Sequence, residues 1–98
     1  MVLEDDAAEI IGIVMHEDDD GDRFINALAI RNDQQARGFG KLVLGTVIDD
    51  LSERYAGRVA TWLVAPANFA SHAMSEAVGA HLTYPAETKP NALYAIAL

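Results

Sequence analysis

Apolar positions along the chain follow two periods, and the changes between them predict the order of strands and helices. Short runs of β-branched and aromatic residues predict strands, whereas apolar residues at i, i+4 and i+7 predict helices. Strands are expected at Met1–Glu4, Glu9–His16, Arg23–Ile30, Arg58–Ala65, His81–Tyr84 and Ala92–Leu98. Helices are expected from Gly38 to Tyr55 and from Asn68 to Val78. The resulting order, β-β-β-α-β-α-β-β, is typical of a mixed α/β fold.

The links between these elements predict how the strands pair. Short connections, including a polar turn at Glu17–Asp22, indicate that the first three strands are antiparallel. Arg23–Ile30 is apolar on both faces, as a central strand is. The strand-helix-strand unit that follows is expected to be parallel.

Each predicted helix has an apolar face and a stop signal. In the first helix the face is formed by Val43, Leu44, Val47, Ile48, Leu51 and Tyr55. In the second helix the apolar positions are Ala70, Ala73, Met74, Ala77 and Val78. Asn68 is a favourable N-cap for the second helix, and Gly57 and Gly79 follow the two helix ends.

Composition limits the classes of function. The chain has 98 residues, of which 51% are apolar, and this predicts one domain spanning residues 1–98. It has no cysteine, no apolar run long enough to span a membrane and an acidic start unlike a signal peptide, so we expect a cytoplasmic protein. The net charge of −8 disfavours nucleic acid and membrane surfaces as partners.

The glycine-containing segment Gln35–Lys41 lies between a predicted strand and a predicted helix. Gly38 and Gly40 would let a ligand approach the backbone closely. Unpaired amides at a helix start bind phosphate oxygens, and Arg37 and Lys41 add positive charge there. The segment therefore predicts a phosphate or diphosphate site.

Two common phosphate loops do not fit this segment. A Walker loop requires Ser or Thr after the lysine, and here Leu42 follows Lys41. The dinucleotide fingerprint requires a third glycine where Val43 stands, and it should follow the strand directly.

A third pattern, Gln/Arg-x-x-Gly-x-Gly/Ala, matches from Gln35 to Gly40, and here the chain resembles the GNAT superfamily of N-acetyltransferases. A second motif of that family resembles the stretch in which Asn68, Ser71, Met74 and Gly79 stand at the expected offsets. The resemblance covers nearly the whole chain. It implies a GNAT-like fold in which two central parallel strands splay apart at a bulge.

The resemblance also implies a ligand, acetyl-CoA, as co-substrate, and an amine acceptor. The pantetheine arm of acetyl-CoA would pair with the backbone of Leu28 and Ile30, and its pyrophosphate would bind the amides of the segment Arg37–Lys41. The side chain of Asn68 would face the bound acetyl-CoA. A backbone N–H near Leu28 or Ala29 would polarise the thioester carbonyl. The implied acetyl-CoA-binding residues are Leu28, Ala29, Ile30, Gln35, Ala36, Arg37, Gly38, Phe39, Gly40, Lys41 and Asn68.

Two departures from the family affect the predicted activity. The family places a strand and two helices before the part seen here, and that segment forms a wall of the acceptor site. The family also supplies a tyrosine as general acid at the position of Ser75. Ser75 and Tyr84 are therefore the candidate catalytic residues, with Tyr94 as a further phenol. No carboxylate lies in Arg23–Ile30, so Asn26 could at most hold a water as base.

Other candidate residues have simpler interpretations. Among the histidines, His72 lies nearest the predicted site, whereas His16 and His81 are expected to be structural or on the surface. Trp62 is expected in the core, and Ser75 on an exposed helix surface unless it is catalytic. The aspartate run before Gly21 does not fit a calcium loop and predicts a solvated turn. No metal site is predicted.

Three hypotheses follow. The first is an acetyl-CoA-dependent N-acetyltransferase, in which a second chain supplies the missing wall. The second is a catalytically degenerate CoA-binding or protein-interaction module of the same fold, and the third is a domain with no ligand. Unpaired edge strands and apolar surface predict a homodimer.

Overall fold

A computed structural model describes residues 2–4, 10–30, 40–85 and 90–98, which form six strands and two helices. The strands are β1 (Val2–Glu4), β2 (Ile10–Asp19), β3 (Asp22–Ile30), β4 (Val59–Val64), β5 (His81–Tyr84) and β6 (Ala92–Ala97). The helices are α1 (Gly40–Arg54) and α2 (Phe69–Ala77). Their order confirms the predicted β-β-β-α-β-α-β-β arrangement.

All six strands belong to one mixed sheet in the order β1-β2-β3-β4-β6-β5. The first three strands are antiparallel, as predicted, and β3 and β4 are parallel neighbours at the centre. On the other side β4 pairs antiparallel with β6 over its whole length, and β5 forms the edge. Two parallel strands cannot be joined by a tight turn, because the chain must return from the end of one strand to the start of the next. Here α1 lies in this crossover between β3 and β4.

The hairpin between β2 and β3 is tighter than the sequence pattern indicated. The predicted turn at Glu17–Asp22 is wrong in extent, because β2 continues to Asp19 and β3 begins at Asp22. Only Asp20 and Gly21 form the turn, and both have positive φ, 55° and 92°. A two-residue loop of this kind matches the twist of the flanking strands, and Asp-Gly is a favoured pair for it. Strand pairing thus extends through the acidic segment.

Both helices pack on the same face of the sheet. Along β4, Ala60, Trp62 and Val64 are buried against the helices, while the alternate residue Leu63 is 45% exposed on the opposite face. The buried apolar core consists of Val14, Ile25, Val43, Leu44, Val47, Ile48, Leu51, Ala60, Trp62, Val64, Ala92 and Tyr94. The predicted apolar face of α1 and the predicted core position of Trp62 are confirmed.

The sheet-facing side of α2 agrees with the predicted one at Met74 and Val78, which pack against the core, but not at its alanines. Its three alanines, Ala70, Ala73 and Ala77, are exposed, and Ser75 is its buried residue. The expectation of an exposed Ser75 is therefore wrong, because the helix is turned so that this hydroxyl meets the sheet. Asn68 caps α2 as predicted, since its Oδ1 accepts the Ser71 N–H at 3.2 Å. Within the described residues no helix is long and apolar enough to cross a membrane.

Candidate active site

The two central parallel strands are paired at one end and separated at the other. Their pairing is limited to Arg23 with Ala60 and Phe24 with Thr61. Beyond Thr61, β4 keeps its partner β6 on one side but has no paired residue on β3. Backbone polar groups that lack a strand partner can bind an extended ligand placed between the strands. The open end of this pair is therefore a candidate ligand site.

A bulge in β3 lies where the strands begin to separate. His16 of β2 pairs with Ile25, and the preceding Met15 pairs with Ala27, so Asn26 has no partner on β2. An extra residue of this kind bends its strand and increases the local twist. The bulge thus accounts for the divergence of β3 from β4, and it places Asn26 at the edge of the gap.

A cleft of about 240 Å³ fills the space between the separated strands. It is lined by β3, β4, α1 and α2 through Ile25, Asn26, Ala27, Leu28, Leu44, Trp62, Leu63, Val64, Asn68, Ser71, Met74 and Ser75. The polar groups among these residues are two carboxamides, two hydroxyls and one indole N–H. Within the described part of the chain, no residue with an ionisable side chain lines the cleft. Chemistry here would therefore depend on hydrogen bonds and positioning.

Ser75 lies in the cleft wall, where its hydroxyl both donates and accepts a hydrogen bond. The residue is 1% exposed, and its Oγ donates to the carbonyl oxygen of Ser71 at 2.7 Å. The same Oγ accepts the Nε1–H of Trp62 at 2.8 Å. Both distances are those of well-formed hydrogen bonds. The bonds join α2 to β4 beside the cleft.

A second contact between α2 and the sheet involves His72 and Tyr94. The Tyr94 hydroxyl lies 2.8 Å from His72 Nδ1, and His72 Nε2 lies 3.1 Å from the carbonyl oxygen of Ala65. Because a carbonyl only accepts, Nε2 carries the proton, and in the neutral ring Nδ1 accepts from Tyr94. The Tyr94 ring stacks on Trp62 with centroids 6.4 Å apart. Burial, and then the carboxylate of Glu76, raises the pKa of Tyr94, so its hydroxyl stays protonated at neutral pH.

The sequence-predicted acetyl-CoA-binding residues fall into three groups. Leu28 and Asn68 line the cleft, so the structure brings together one residue from each motif. Ala29 and Ile30 end β3, and Gly40 and Lys41 begin α1. Gln35, Ala36, Arg37, Gly38 and Phe39 lie outside the described residues. The start of α1, which was predicted to hold the pyrophosphate, is thus the next described element after β3, the strand that lines the cleft.

The two predicted catalytic residues, Ser75 and Tyr84, do not lie in the same site. Ser75 lines the cleft, but Tyr84 lies at the end of the edge strand β5, which β6 separates from β4. Tyr94 is on β6 and 1% exposed, with its hydroxyl directed to His72. A catalytic role for Ser75 or Tyr84 remains a prediction.

Two cleft residues with a carboxamide or hydroxyl group, Asn26 and Ser71, were not among the predicted acetyl-CoA-binding or catalytic residues. Asn26 enters the cleft because of the bulge, and no single residue type in the sequence marks a bulge. Ser71 faces the cleft from the first turn of α2. Its spacing of three from Asn68 and four from Ser75 places all three on one helical face, a signal that the sequence contained.

At the closed end of the strand pair, charged groups contact one another. Arg23 donates to His16 Nδ1 from Nε at 3.2 Å and Nη2 at 2.8 Å, and its guanidinium lies 4.6 Å from the Tyr55 ring centroid. Asp18 lies 3.8 Å from Arg23. Burial, and then the charges of Arg23 and Arg54, lowers the pKa of His16. Its neutral ring is thus the form that accepts from Arg23.

The sequence matches the profile of the Acetyltransferase (GNAT) family over residues 1–80. Because this match covers most of the chain, the protein belongs to the GNAT family. The splayed strands, the bulge and the two motifs agree with that assignment. Among curated proteins no sequence matches the chain significantly.

Solved acetyltransferase structures share the fold. An acetyltransferase from Agrobacterium tumefaciens str. C58 superposes with a TM-score of 0.73 at 17% identity, covering 96% of this chain and 57% of that one. A spermidine N-acetyltransferase chimera from Vibrio cholerae and hSSAT gives 0.70 at 17% identity, covering 96% and 61%. The ribosomal-protein-S18-alanine N-acetyltransferase from Escherichia coli gives 0.68 at 20% identity, covering 96% and 63%. The chain thus spans about three fifths of the length of these structures.

Proposed function

We propose that this chain binds acetyl-CoA in the cleft between β3 and β4 and transfers the acetyl group to an amine. The observation that carries the proposal is the separation of the two strands after two paired positions, with Asn26 bulged at the point of divergence. An extended pantetheine arm would then pair with the free backbone edge of β3 at Leu28 and Ile30. The family assignment supports the same ligand.

In the proposed reaction, acetyl-CoA supplies the acetyl group as a thioester. The neutral amine attacks the carbonyl carbon, the carbon–sulfur bond breaks, and the proton lost from nitrogen is relayed by water to the leaving thiolate, so that an amide and the free thiol of CoA result. Backbone N–H groups of β3 near Leu28 or Ala29 would polarise the carbonyl, and Asn26 would hold the water. Because the described cleft residues are not ionisable, the rate should depend chiefly on positioning.

A cleft-filling substitution tests ligand binding. Ser71→Phe places an aromatic ring at the cleft wall and should weaken CoA binding by about tenfold or more in calorimetry. Ala73→Phe is the matched control, because Ala73 is exposed on the same helix and does not line the cleft. Equal CoA affinity of the two variants would contradict the proposed location. In the segment that precedes α1, Gly38→Asp should weaken CoA binding by charge repulsion.

The acceptor is left as an amine of unknown identity. The names of two similar structures point to different acceptors, spermidine and an alanine of ribosomal protein S18, at nearly equal identity to this chain. Thiol release from acetyl-CoA should be followed with a panel that contains spermidine and an alanine-initiated peptide. Release with at least one amine supports the enzyme. CoA binding without release for any amine supports instead a catalytically degenerate CoA-binding module, which the engaged Ser75 hydroxyl favours.

We also propose that two copies of the chain associate through the face of the sheet that the helices leave uncovered. Ile13, Met15 and Leu63 are 48%, 55% and 45% exposed on this face. Six strands about 4.8 Å apart and about six residues long give a face of roughly 600 Å², close to the roughly 800 Å² that each partner buries in a standard interface. Leu63 also lines the cleft, so a second copy there would lie beside the acceptor side.

Sedimentation of the chain without ligand tests this association. Met15→Glu should convert the dimer to monomer at micromolar concentration, because it places a charge in the centre of an apolar interface. Leu82→Glu is the control, since Leu82 is 49% exposed but lies on the edge strand β5. A dimer disrupted only by Leu82→Glu would indicate edge pairing, and a monomeric wild type would contradict the proposal.

A further inference from the structure

We infer that Ser75 is a positioning residue that fixes the indole of Trp62 as a wall of the cleft. Within the described residues it is the one buried polar residue besides the aromatic Trp62 and Tyr94, and it contacts the only tryptophan of the sequence. The inference assigns the residue a role different from the general acid implied by its place in the motif. Its consequence for ligand binding rests on the proposed function.

The hydrogen bonds of Ser75 leave no proton for a departing thiolate. Its O–H is donated to the Ser71 carbonyl at 2.7 Å, and its oxygen accepts the indole N–H at 2.8 Å. Donating to a ligand would require the helix bond to break inside a site with 1% exposure. An unpaired polar group in such a site is costly. The geometry therefore suits holding Trp62 better than protonating sulfur.

Trp62 is held from its other side as well. Its ring stacks on Tyr94 at 6.4 Å and 15°, and the Tyr94 hydroxyl is bonded to His72. Ser75 and His72 lie three residues apart on the sheet-facing side of α2. Each fixes one member of the stacked pair, Ser75 at the indole N–H and His72 at the phenol. The contacts with α2 thus set the orientation of the indole. Because Trp62 lines the cleft, they also set the shape of this part of the cleft wall.

Removal of the hydroxyl should change the environment of the indole. In Ser75→Ala the buried Trp62 N–H has lost its acceptor, so we expect the ring to turn toward the cleft and toward water. The emission of this single tryptophan should shift to longer wavelength, and acrylamide should quench it more strongly. CoA affinity should fall by about tenfold, because the turned indole would occupy part of the cleft.

Ser52→Ala is the matched control for the helix bond. Ser52 donates to the carbonyl four residues earlier, Ile48, at 2.8 Å, as Ser75 does to Ser71, but it lies on α1 and does not line the cleft. This variant should keep both the Trp62 emission and the CoA affinity of the wild type. A Ser52→Ala emission shift as large as that of Ser75→Ala would overturn the inference, because the effect would then belong to any helix serine.

A double-mutant cycle separates positioning from acid catalysis. If Ser75 acts through the indole N–H, adding Ser75→Ala to Trp62→Phe should change CoA affinity by less than about twofold. If Ser75→Ala slows acetyl transfer while emission and CoA affinity stay at wild-type values, Ser75 is an acid and the inference is wrong. Should Ser75→Ala alone fail to fold, recovery of folding in the double variant supports the inference and continued failure contradicts it.

The emission and folding measurements need no CoA. If the wild type does not bind CoA, the proposed function fails, while the indole environment still decides the role of Ser75.

Discussion

The two ends of the β3–β4 pair differ in both pairing and charge. At the closed end, Arg23 and Phe24 pair with β4, and the Asp22 carboxylate accepts the Val59 N–H at 3.0 Å. At the open end the strands are separated by a cleft whose described lining carries no ionisable side chain. The closed end fixes the relative position of the strands, so that the open end can keep a gap without collapsing. The contacts that hold the two strands together and the cleft thus lie at opposite ends of the same strand pair.

Deletion of Asn26 should abolish this difference and have the largest effect. Without the bulged residue, Ile25 and Ala27 become consecutive and keep their partners His16 and Met15, so β3 can continue straight beside β4. We expect CoA binding to weaken by about a hundredfold or more, because the backbone groups of β3 that would pair with the pantetheine arm could then pair with β4. The denaturation midpoint should not fall.

Asn26→Gly is the control, because it keeps the extra residue and removes only the carboxamide. CoA affinity within about threefold of wild type would assign the effect to the bulge. If the deletion variant binds CoA normally, the bulge does not open the cleft.

Removal of Arg23 should weaken the closed end and spare the open one. Its side chain is 12% exposed and contacts His16, Asp18 and Tyr55, so Arg23→Ala should lower the free energy of unfolding by about 1–3 kcal/mol. Arg54→Ala, at a side chain 48% exposed, should cost less than about 1 kcal/mol. Urea denaturation measures both. CoA affinity of the folded Arg23→Ala protein should be unchanged, and a loss there would show that the two ends are coupled.

The Asp22 carboxylate is a smaller test of the closed end. Asp22→Ala leaves the Val59 N–H without its acceptor and should destabilise the chain by about 1 kcal/mol. Asp22→Asn keeps an acceptor oxygen and should recover most of this loss in the same urea titration. Equal stability of the two variants and the wild type would show that the bond does not hold the strands together.

A pH titration of stability should give the smallest effect. The folded state lowers the pKa of His16, so the unfolded chain binds the proton more readily, near its ordinary value of about 6.5. The neutral ring therefore contributes stability above that pH, and the contribution is lost as the pH falls toward the folded pKa. His16→Gln, which still offers an acceptor to Arg23, should show a shallower decline between about pH 7 and pH 5. An equal decline in both proteins would exclude His16 as its source.

Sequence patterns predicted the type and order of the elements because burial leaves a clear period. The apolar face of α1, the apolar central strand at Arg23–Ile30 and the capping asparagine Asn68 are examples. The acidic composition at the end of β2 predicts a turn, because Asp and Glu are rare in strands, although Asp20-Gly21 is also typical of a two-residue hairpin. Local propensity was outweighed there by pairing with β3.

The site was less predictable than the fold. The two motifs identified Leu28 and Asn68, which the structure places in one cleft. The bulge at Asn26 depends on the register between β2 and β3, and the burial of Ser75 depends on the rotation of α2 against Trp62. Both are properties of how elements pack together, and no single residue encodes them. The spacing of Asn68, Ser71 and Ser75 on one helical face is the sequence signal that could have indicated the burial of Ser75.

A titration of the isotopically labelled chain with CoA, followed by amide NMR, tests the central claim most directly. We expect shifts at both cleft-lining strands, at the Trp62 indole N–H and at Gly40, with little change at the Asp20-Gly21 turn. Unchanged signals from Ile25–Leu28 and Trp62–Val64 at millimolar CoA would contradict the claim that the separated strands hold the ligand.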